Sequence, residues 1–409
     1  MQLDSSIDKL YKMNDNSSVI PRQAANTLLS LAKGFPIVAV TGPRQSGKTT
    51  LVQAVFPEKP YVSFEEPDKL ELAVSDPRGF LANYPEGAVI DEAQRFPGLF
   101  SYLQALVDRI KKSGLFILTG SQQFGLLSKI SQSLAGRTGL VQLLPFSLKE
   151  LTAARVRLAA PSAQIYKGLY PPIYDRKLSP DQWYANYVLT YLERDVRNLL
   201  NVRNLSSFQK FLRMCAGRSG QLLNLSSLAS DCGITHNTAL SWLSVLEASY
   251  IVFLLRPHHK NFGKRLVKSP KIYFYDCGLA AWLLNVQGPD HLAIHPQRGS
   301  LFESLIISEL MKDRFNSGLT SNFYFWRNNM GDEIDLVIDQ GTRLVPVEIK
   351  SGETLNPDYF RGLKKWKKMA SDREVPSYLV YGGGEHLVSE GISIVPWNRT
   401  AEFINTKAS

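Results

Sequence analysis

Gly42-Pro43-Arg44-Gln45-Ser46-Gly47-Lys48-Thr49 follows directly on the apolar run Ile37-Val38-Ala39-Val40. The spacing is G-x-x-x-x-G-K-[ST] between a strand pattern and a helix pattern, the setting in which a loop cradles phosphates. The glycines let successive backbone N–H groups turn inward on an anion. Lys48 then reaches the β- and γ-phosphates of a nucleotide and the Thr49 hydroxyl ligates Mg2+. The helix that begins at Thr50-Leu51-Val52 aims its positive end at the same charge. The predicted nucleotide-binding set is therefore Gly42, Pro43, Arg44, Gln45, Ser46, Gly47, Lys48, Thr49 and Thr50.

Ala88-Val89-Ile90-Asp91-Glu92 is a short apolar strand that ends in two acids. Carboxylates at the end of a buried strand are unfavourable unless a cation or a reaction requires them. Asp91 is predicted to hold Mg2+ together with Thr49, and Glu92 to orient and deprotonate an attacking water. The expected cofactors are ATP and Mg2+. A third strand, Leu115-Phe116-Ile117-Leu118-Thr119-Gly120, leads to Ser121. Ligands gather at the carboxyl ends of parallel strands, so Ser121, with Gln122 second, is a candidate sensor of the γ-phosphate. Ser121 is equally a candidate N-cap for the helix pattern after Phe124. Arg137 is read either as an arginine finger toward a neighbouring subunit or as a solvated side chain.

Strands that place these groups at one sheet edge, with helices between, define a parallel α/β sheet, and the following segment reads as a helical extension to about residue 204. Ala159–Ala163 and Tyr170-Pro171-Pro172 read as loop within that extension. Next, Leu225–Gly233 reads as a capped helix ending on glycine, and Thr235 as the cap of a second helix, His236–Leu246. A helix, a glycine turn and a polar second helix make a helix-turn-helix pattern. Leu240, Leu243 and Leu246 are expected in its core, Trp242 also, with His236, Asn237 and Ser241 outward. Ile251–Leu255 and Lys271–Tyr275 are expected to pair as a wing. Between them lie Arg256, Lys260, Lys264, Arg265 and Lys268, and no acid occurs from Ile251 to Tyr275. A single-sign loop suits contacts with DNA phosphates; a winged helix used for protein packing is the alternative.

In the last third, Gly331–Asp339 and Leu344–Ser351 read as two strands joined by a turn at Gln340-Gly341-Thr342. Period two puts Glu348 and Lys350 on one face, and a hairpin brings Asp335 beside them. Glu303, on the preceding helix pattern Gly299–Leu310, is a further candidate ligand. Such carboxylates can hold Mg2+ or Mn2+ while the lysine activates water or steadies phosphate charge. A helix near Phe360–Met369 and the strand Ser377–Tyr381 complete an α-β-β-β-α-β order. The alternatives are a hairpin with exposed salt-bridged charges and a fold that binds DNA without cutting it.

The quoted loop, Ile90-Asp91-Glu92-Ala93-Gln94, Leu118-Thr119-Gly120-Ser121, Ser133–Arg137, Pro145–Leu151 and Tyr191–Val196 resemble AAA-type P-loop ATPases. More closely they resemble the bacterial and archaeal family in which such an ATPase is fused to a carboxy-terminal DUF4143 domain. The resemblance covers nearly the whole chain but includes no obvious second arginine-bearing lid motif. From about Gly299 onward the chain resembles the PD-(D/E)XK nuclease superfamily, with Glu303, Asp335, Glu348 and Lys350 at its motif positions. The resemblances imply a P-loop NTPase parallel sheet with helical extension (1–204), a winged-helix middle domain (205–290) and an α/β restriction-endonuclease-like domain (291–409).

The 409 residues carry a formal net charge of +10, which favours anionic partners, nucleic acid first. Three isolated cysteines fit a reducing compartment. No C-x-x-C or H-E-x-x-H pattern marks a zinc site, and His258-His259 reads as surface. No secretory signal pattern or membrane-length apolar run is found, so the expected location is cytoplasmic. The resulting expectation is an ATP-hydrolysing, DNA-acting protein whose nucleotide cycle drives or gates the carboxy-terminal region, with a homo-oligomer through the ATPase domain as a possible assembly. A DNA motor that never cuts, and a nucleotide-dependent switch acting on a protein partner, are the competing expectations.

Overall fold

The computed structural model describes residues 19–121, 133–192, 205–259, 267–370 and 375–400. Strands β1 (Ile37–Thr41), β2 (Tyr61–Ser63), β3 (Val89–Asp91), β4 (Phe116–Gly120) and β5 (Thr138–Gln142) form one parallel sheet in the order β2-β3-β4-β1-β5. β1 and β4 are buried along their whole length, as parallel strands covered on both faces must be. Alternation along β1 divides the core. Val38 and Val40 pack with Leu28 of α1 (Ala24–Gly34) and Leu51 of α2 (Lys48–Val55). Ile37 and Ala39 face the opposite layer. That layer holds residues of α3 (Pro67–Ser75), α4 (Pro77–Ala82) and α5 (Leu99–Ile110). The order matters for chemistry because β4 lies between the loop-bearing β1 and the acid-bearing β3, with Thr41 opposite Gly120 and Ile90 opposite Leu118.

Part of the segment expected as loop is helical, while Ala159, Ala160 and Tyr170 stay outside the helices. Pro161 and Pro171 start α7 (Pro161–Lys167) and α8 (Pro171–Asp175), after α6 (Leu148–Ala153) and before α9 (Pro180–Tyr187). Proline is suited to the first helical position, where its missing N–H has no intrahelical partner anyway and its fixed φ is already helical. These helices share one core with α10 (Leu205–Gly217), α11 (Leu225–Cys232) and α12 (His236–Ala248). Asn224 and Thr235 cap α11 and α12, and Gly233 closes α11 at φ 69°, as the capping pattern predicts. Trp242 is buried against Phe208 and Phe211. Leu240 departs from expectation and is 49% exposed. The buried stripe runs Ala239, Trp242, Leu243, Leu246, a true i, i+3, i+4, i+7 face that places Leu240 among the polar residues.

β6 (Val252–Leu255) and β7 (Lys271–Phe274) pair antiparallel, as expected of a wing. The hairpin is not free, however. Pro257 bridges Phe325 in parallel, His258 N–H donates to the Phe325 carbonyl at 2.7 Å, and Val267 N–H donates to the Arg327 carbonyl. These contacts cover the edge strand of the carboxy-terminal sheet, whose backbone groups would otherwise stand unpaired. α13 (Cys277–Leu283) and α14 (Pro289–Ile294) lead into α15 (Arg298–Asn316). The second sheet comprises β8 (Phe323–Arg327), β9 (Glu333–Asp339), β10 (Leu344–Lys350), β11 (Ser377–Tyr381), β12 (Leu387–Ser389) and β13 (Ile392–Pro396) in the order β12-β13-β11-β10-β9-β8. Residues of α15 pack on one face of it and those of α16 (Arg361–Ala370) on the other.

Asp276 ties the helical extension to the middle segment. Its carboxylate accepts from Leu279 N at 2.8 Å, from Leu169 N at 2.8 Å and from the Tyr184 hydroxyl at 2.6 Å, while 2% exposed. Asp276→Ala is expected to destabilise the protein by about 3 kcal/mol or more, because three buried donors lose their acceptor. Tyr184→Phe, which removes one bond, is expected to cost about 1 kcal/mol. Urea unfolding of the two variants checks the ordering.

Candidate functional site

The loop between β1 and α2 has the geometry that its glycines allow. A Cβ on Gly42 would stand 2.0 Å from the Leu143 carbonyl oxygen, and Gly47 precedes α2 at φ 89°. Lys48 is buried, and its ammonium donates to the carbonyls of Gly42 at 3.0 Å and Pro43 at 2.7 Å. Gly42, Pro43 and Ser46 thus build the loop, while Arg44, Gln45, Gly47, Lys48, Thr49 and Thr50 line a cleft of about 470 Å³. Ile20, Phe146, Pro171 and Pro172 supply its apolar end. Arg176, which follows α8, also lines it. An arginine from the helical extension therefore does face the cleft, although no motif marks it in the sequence.

Asp91 is held by hydroxyls from three directions. Thr49 Oγ1 lies 3.3 Å from both carboxylate oxygens, the Tyr61 hydroxyl donates at 2.7 Å, and Thr119 Oγ1 donates to Oδ1. Burial, then the adjacent carboxylate, raise the Tyr61 hydroxyl pKa, so it remains a donor. Thr49 and Asp91 form a hard-oxygen pair suited to Mg2+. Glu92 sits beyond them at φ 53°, a left-handed conformation uncommon outside glycine and often found at functional positions. Ser121 donates to Glu92 Oε2 at 3.2 Å, and Gln94 Nε2 binds the same oxygen. The buried Ser121 therefore meets the second acid, and Gln122 lies outside the described residues.

Arg22 carries no local sequence signal. It is 5% exposed, yet it donates to the Ser46 carbonyl at 2.6 Å, the Leu144 carbonyl at 2.6 Å and Glu150 at 3.1 Å. Its guanidinium stands 5.0 Å over the Phe146 ring. Glu150 is the N3 member of a capping box with Ser147, so its carboxylate is fixed before Arg22 meets it. Arg137 lies elsewhere. Its carbonyl accepts from Ile37 at the start of β1, the sheet end opposite the loop, and its guanidinium grips Asp108 through Nε and Nη2. It does not line the cleft of its own chain.

The four carboxy-terminal candidates converge. Lys350 Nζ donates to Asp335 Oδ2 at 2.9 Å and to Glu348 Oε2 at 2.7 Å, and Ile349 N–H donates to Asp335 at 2.8 Å. Glu303 stands on α15 at the same cluster, where Lys271 lies 3.3 Å away and the Tyr273 hydroxyl donates to it. Lys271, Tyr273 and Glu333 join the cluster with no motif to mark them; Lys271 also pairs with Glu333. Burial outweighs Lys271 and pushes the Glu303 carboxyl up to about 7. Burial, then Asp335, raises Glu348 well above the carboxylate range. Asp335 resists the same burial because Lys350 faces it, and falls to about 2. Among the described residues no three side chains assemble as ligands, and two lysines already answer the carboxylates.

His236, Asn237 and Ser241 are exposed on α12, and Lys268 is exposed beyond the hairpin loop. Lys260, Lys264, Arg265 and the Glu193–Val196 segment lie outside the described residues. His258 is not a plain surface residue, since its Nε2 lies 3.1 Å from Asp339 with the side chain 14% exposed. The three cysteines are buried free thiols. No helix of the described residues is long and apolar enough to cross a membrane.

A family model described as an AAA domain matches residues 34–152. Two domains of unknown function match the remainder, DUF8612 over 160–290 and DUF4143 over 298–400. Uncharacterized proteins of Mycobacterium bovis and Mycobacterium tuberculosis are each 32% identical over 381 residues, 92% of this chain and 83% of theirs. Among solved structures, a Walker-type ATPase of Pyrococcus abyssi shares 14% identity, covering 67% of this chain and 99% of that one, with a TM-score of 0.45. The Thermotoga maritima RuvB Holliday junction branch migration motor shares 20% identity over 58% of this chain and 90% of its own, with a TM-score of 0.31.

The buried charges make two outcomes measurable. Arg22→Gln is expected to weaken ATP binding roughly tenfold, since two carbonyls and Glu150 lose a charged donor behind the loop; nucleotide titration measures it. The Glu303 carboxyl, raised from 4.5 to about 7, keeps its proton in the folded state while the unfolded chain loses it. Its contribution is therefore fully present below pH 4.5 and is lost as pH rises through about 7. Melting curves across that window should show Tm falling more steeply with pH in wild type than in Glu303→Gln.

Proposed function

The chain belongs to the family in which an AAA domain precedes a carboxy-terminal DUF4143 domain, and on that premise we propose that it is an ATP-driven, DNA-acting protein whose nucleotide cycle positions its carboxy-terminal region. The AAA-type P-loop fold supports ATPase activity. The observation that carries the reading is the single cleft edge at which Lys48, Thr49, Asp91 and Glu92 meet.

In this reading the loop N–H groups and Lys48 bind the β- and γ-phosphates. Thr49 and Asp91 hold Mg2+, which neutralises phosphate charge when bound. Glu92 takes the proton of the attacking water, with Ser121 and Gln94 fixing the carboxylate that accepts it. Arg176 approaches the nucleotide from the helical extension. Arg137, remote from its own cleft, has a catalytic role only across a subunit boundary in a homo-oligomer, after exchanging Asp108 for phosphate.

DNA is proposed as the partner from the exposed polar face of α12, from Lys268 and from the net positive charge. One observation favours remodelling without cleavage over a nuclease: the acidic constellation is answered by lysines rather than arranged around a metal seat. A switch acting on a protein partner would use the same cleft and leave DNA affinity low.

Steady-state hydrolysis with and without single-stranded, duplex and branched DNA tests the proposal. Wild type is expected to hydrolyse ATP and to be stimulated by one DNA form, while Lys48→Ala and Glu92→Gln lose roughly a hundredfold or more. Neutralising Lys260, Lys264, Arg265 and Lys268 should lower DNA affinity and shrink its salt dependence. An unchanged rate across the panel, with unchanged affinity in that variant, rejects the DNA reading and leaves the switch.

A further inference from the structure

Lys271 is the residue that the rest of the site does not explain. It is on β7, in the middle segment, yet its side chain is 4% exposed inside the carboxy-terminal acidic cluster. Its ammonium lies 3.3 Å from Glu303 Oε1, pairs with Glu333 Oε1, and stands 5.5 Å over the Phe325 ring. Tyr273, two residues on and so on the same strand face, donates to the same Glu303 oxygen. A lysine this deeply buried ordinarily loses its charge. Here Glu303 and Glu333 both lie against it.

We propose that Lys271 is the resident cation of this cluster, a plug that fastens the β6–β7 hairpin to the carboxy-terminal sheet and excludes a divalent ion. A divalent ion bound by Glu303, Asp335 and Glu348 needs their oxygens at about 2.0–2.6 Å. An ammonium hydrogen-bonded to Glu303 takes one of those oxygens and repels a second cation at the same seat. Lys350 belongs to the cluster's own sheet and pairs with Asp335 and Glu348. Lys271 differs because it comes from the separate two-stranded β6–β7 element and not from the cluster's own sheet. That element is also anchored by its buried apolar side chains, by Ser304 of α15, which bonds the Phe274 N–H and carbonyl, and by backbone contacts to Gly220, Leu222 and, beyond the strands, β8.

The plug depends on this geometry alone and needs neither ATP hydrolysis nor DNA binding. It is tested on the full-length, nucleotide-free chain by titrating Mn2+ and following the free-ion EPR signal. Any ion held at Thr49 and Asp91 is common to every variant, so the readout is the part that depends on Glu348. Wild type and Glu348→Gln should bind the same number of Mn2+ ions. Lys271→Met should bind one more, and Lys271→Met combined with Glu348→Gln should lose it again. Lys271→Gln, which keeps a donor toward Glu303, is the second variant with the same expectation should the methionine variant not fold. A Glu348-dependent Mn2+ ion in wild type overturns the proposal. So does a folded Lys271 variant that takes up no more than wild type.

Discussion

A charge removed from water must be answered by another charge or by oriented dipoles, and this chain concentrates its buried charges where its segments meet. Arg22 and Glu150 join the loop to the first helix of the extension. Asp276 joins the extension to the middle segment. Lys312 and Glu309, both buried on α15, join the carboxy-terminal region to the ATPase through the Phe146 carbonyl at 3.0 Å and the Leu148 N–H at 2.7 Å. Replacing one member of such a set leaves the other stranded in a low-dielectric interior, a larger penalty than the intact pair's net contribution. The segments are therefore held in one specific relation, which non-directional apolar burial alone would not specify.

That relation gives the nucleotide cleft two physical contacts with the rest of the molecule. Behind the loop, the Ser46 carbonyl meets Arg22, whose guanidinium covers Phe146, whose carbonyl meets Lys312 of α15. Beside the loop, Thr41 at the end of β1 lies 2.7 Å from the Tyr250 hydroxyl, and Gln142 of β5 donates to the same hydroxyl. Tyr250 leads into β6 after one residue. The loop is thus linked through Arg22 and Phe146 to α15, and the end of β1 through Tyr250 to the chain that leads into the hairpin. Both elements end at the acidic cluster, α15 with Glu303 and β7 with Lys271.

The nucleotide half is legible in the sequence because its chemistry is carried by backbone and by short runs. Glycines at fixed offsets, a buried strand before them and two acids after a second strand are local facts, and the sheet brings them together as read. Asn224, Thr235 and Gly233 are legible for the same reason, since capping is decided within four residues. Arg22, Tyr61, Arg176 and Lys271 are not, because each acts on residues far away in sequence: Arg22 on Glu150, Tyr61 on Asp91, Lys271 on Glu303. Leu240 misleads for a smaller reason. Three leucines spaced by three look like a stripe, but an α-helix advances 3.6 residues per turn, and the pattern that includes Ala239 and Trp242 closes the face better.

The acidic constellation shows where residue pattern stops short of chemistry. Asp335, Glu348, Lys350 and Glu303 meet as their spacing implies, so their positions alone would not separate a metal centre from an ion-pair clamp. The difference lies in what neutralises the carboxylates. A metal centre needs its acids ionised and converging on a common point with oxygens left over. Here Glu348 accepts from Lys350, and Asp335 is committed to the same ammonium and to the Ile349 N–H. Glu303 is shared between Lys271 and Tyr273. Each acid already has a partner within the protein, which is what an ion-pair clamp requires.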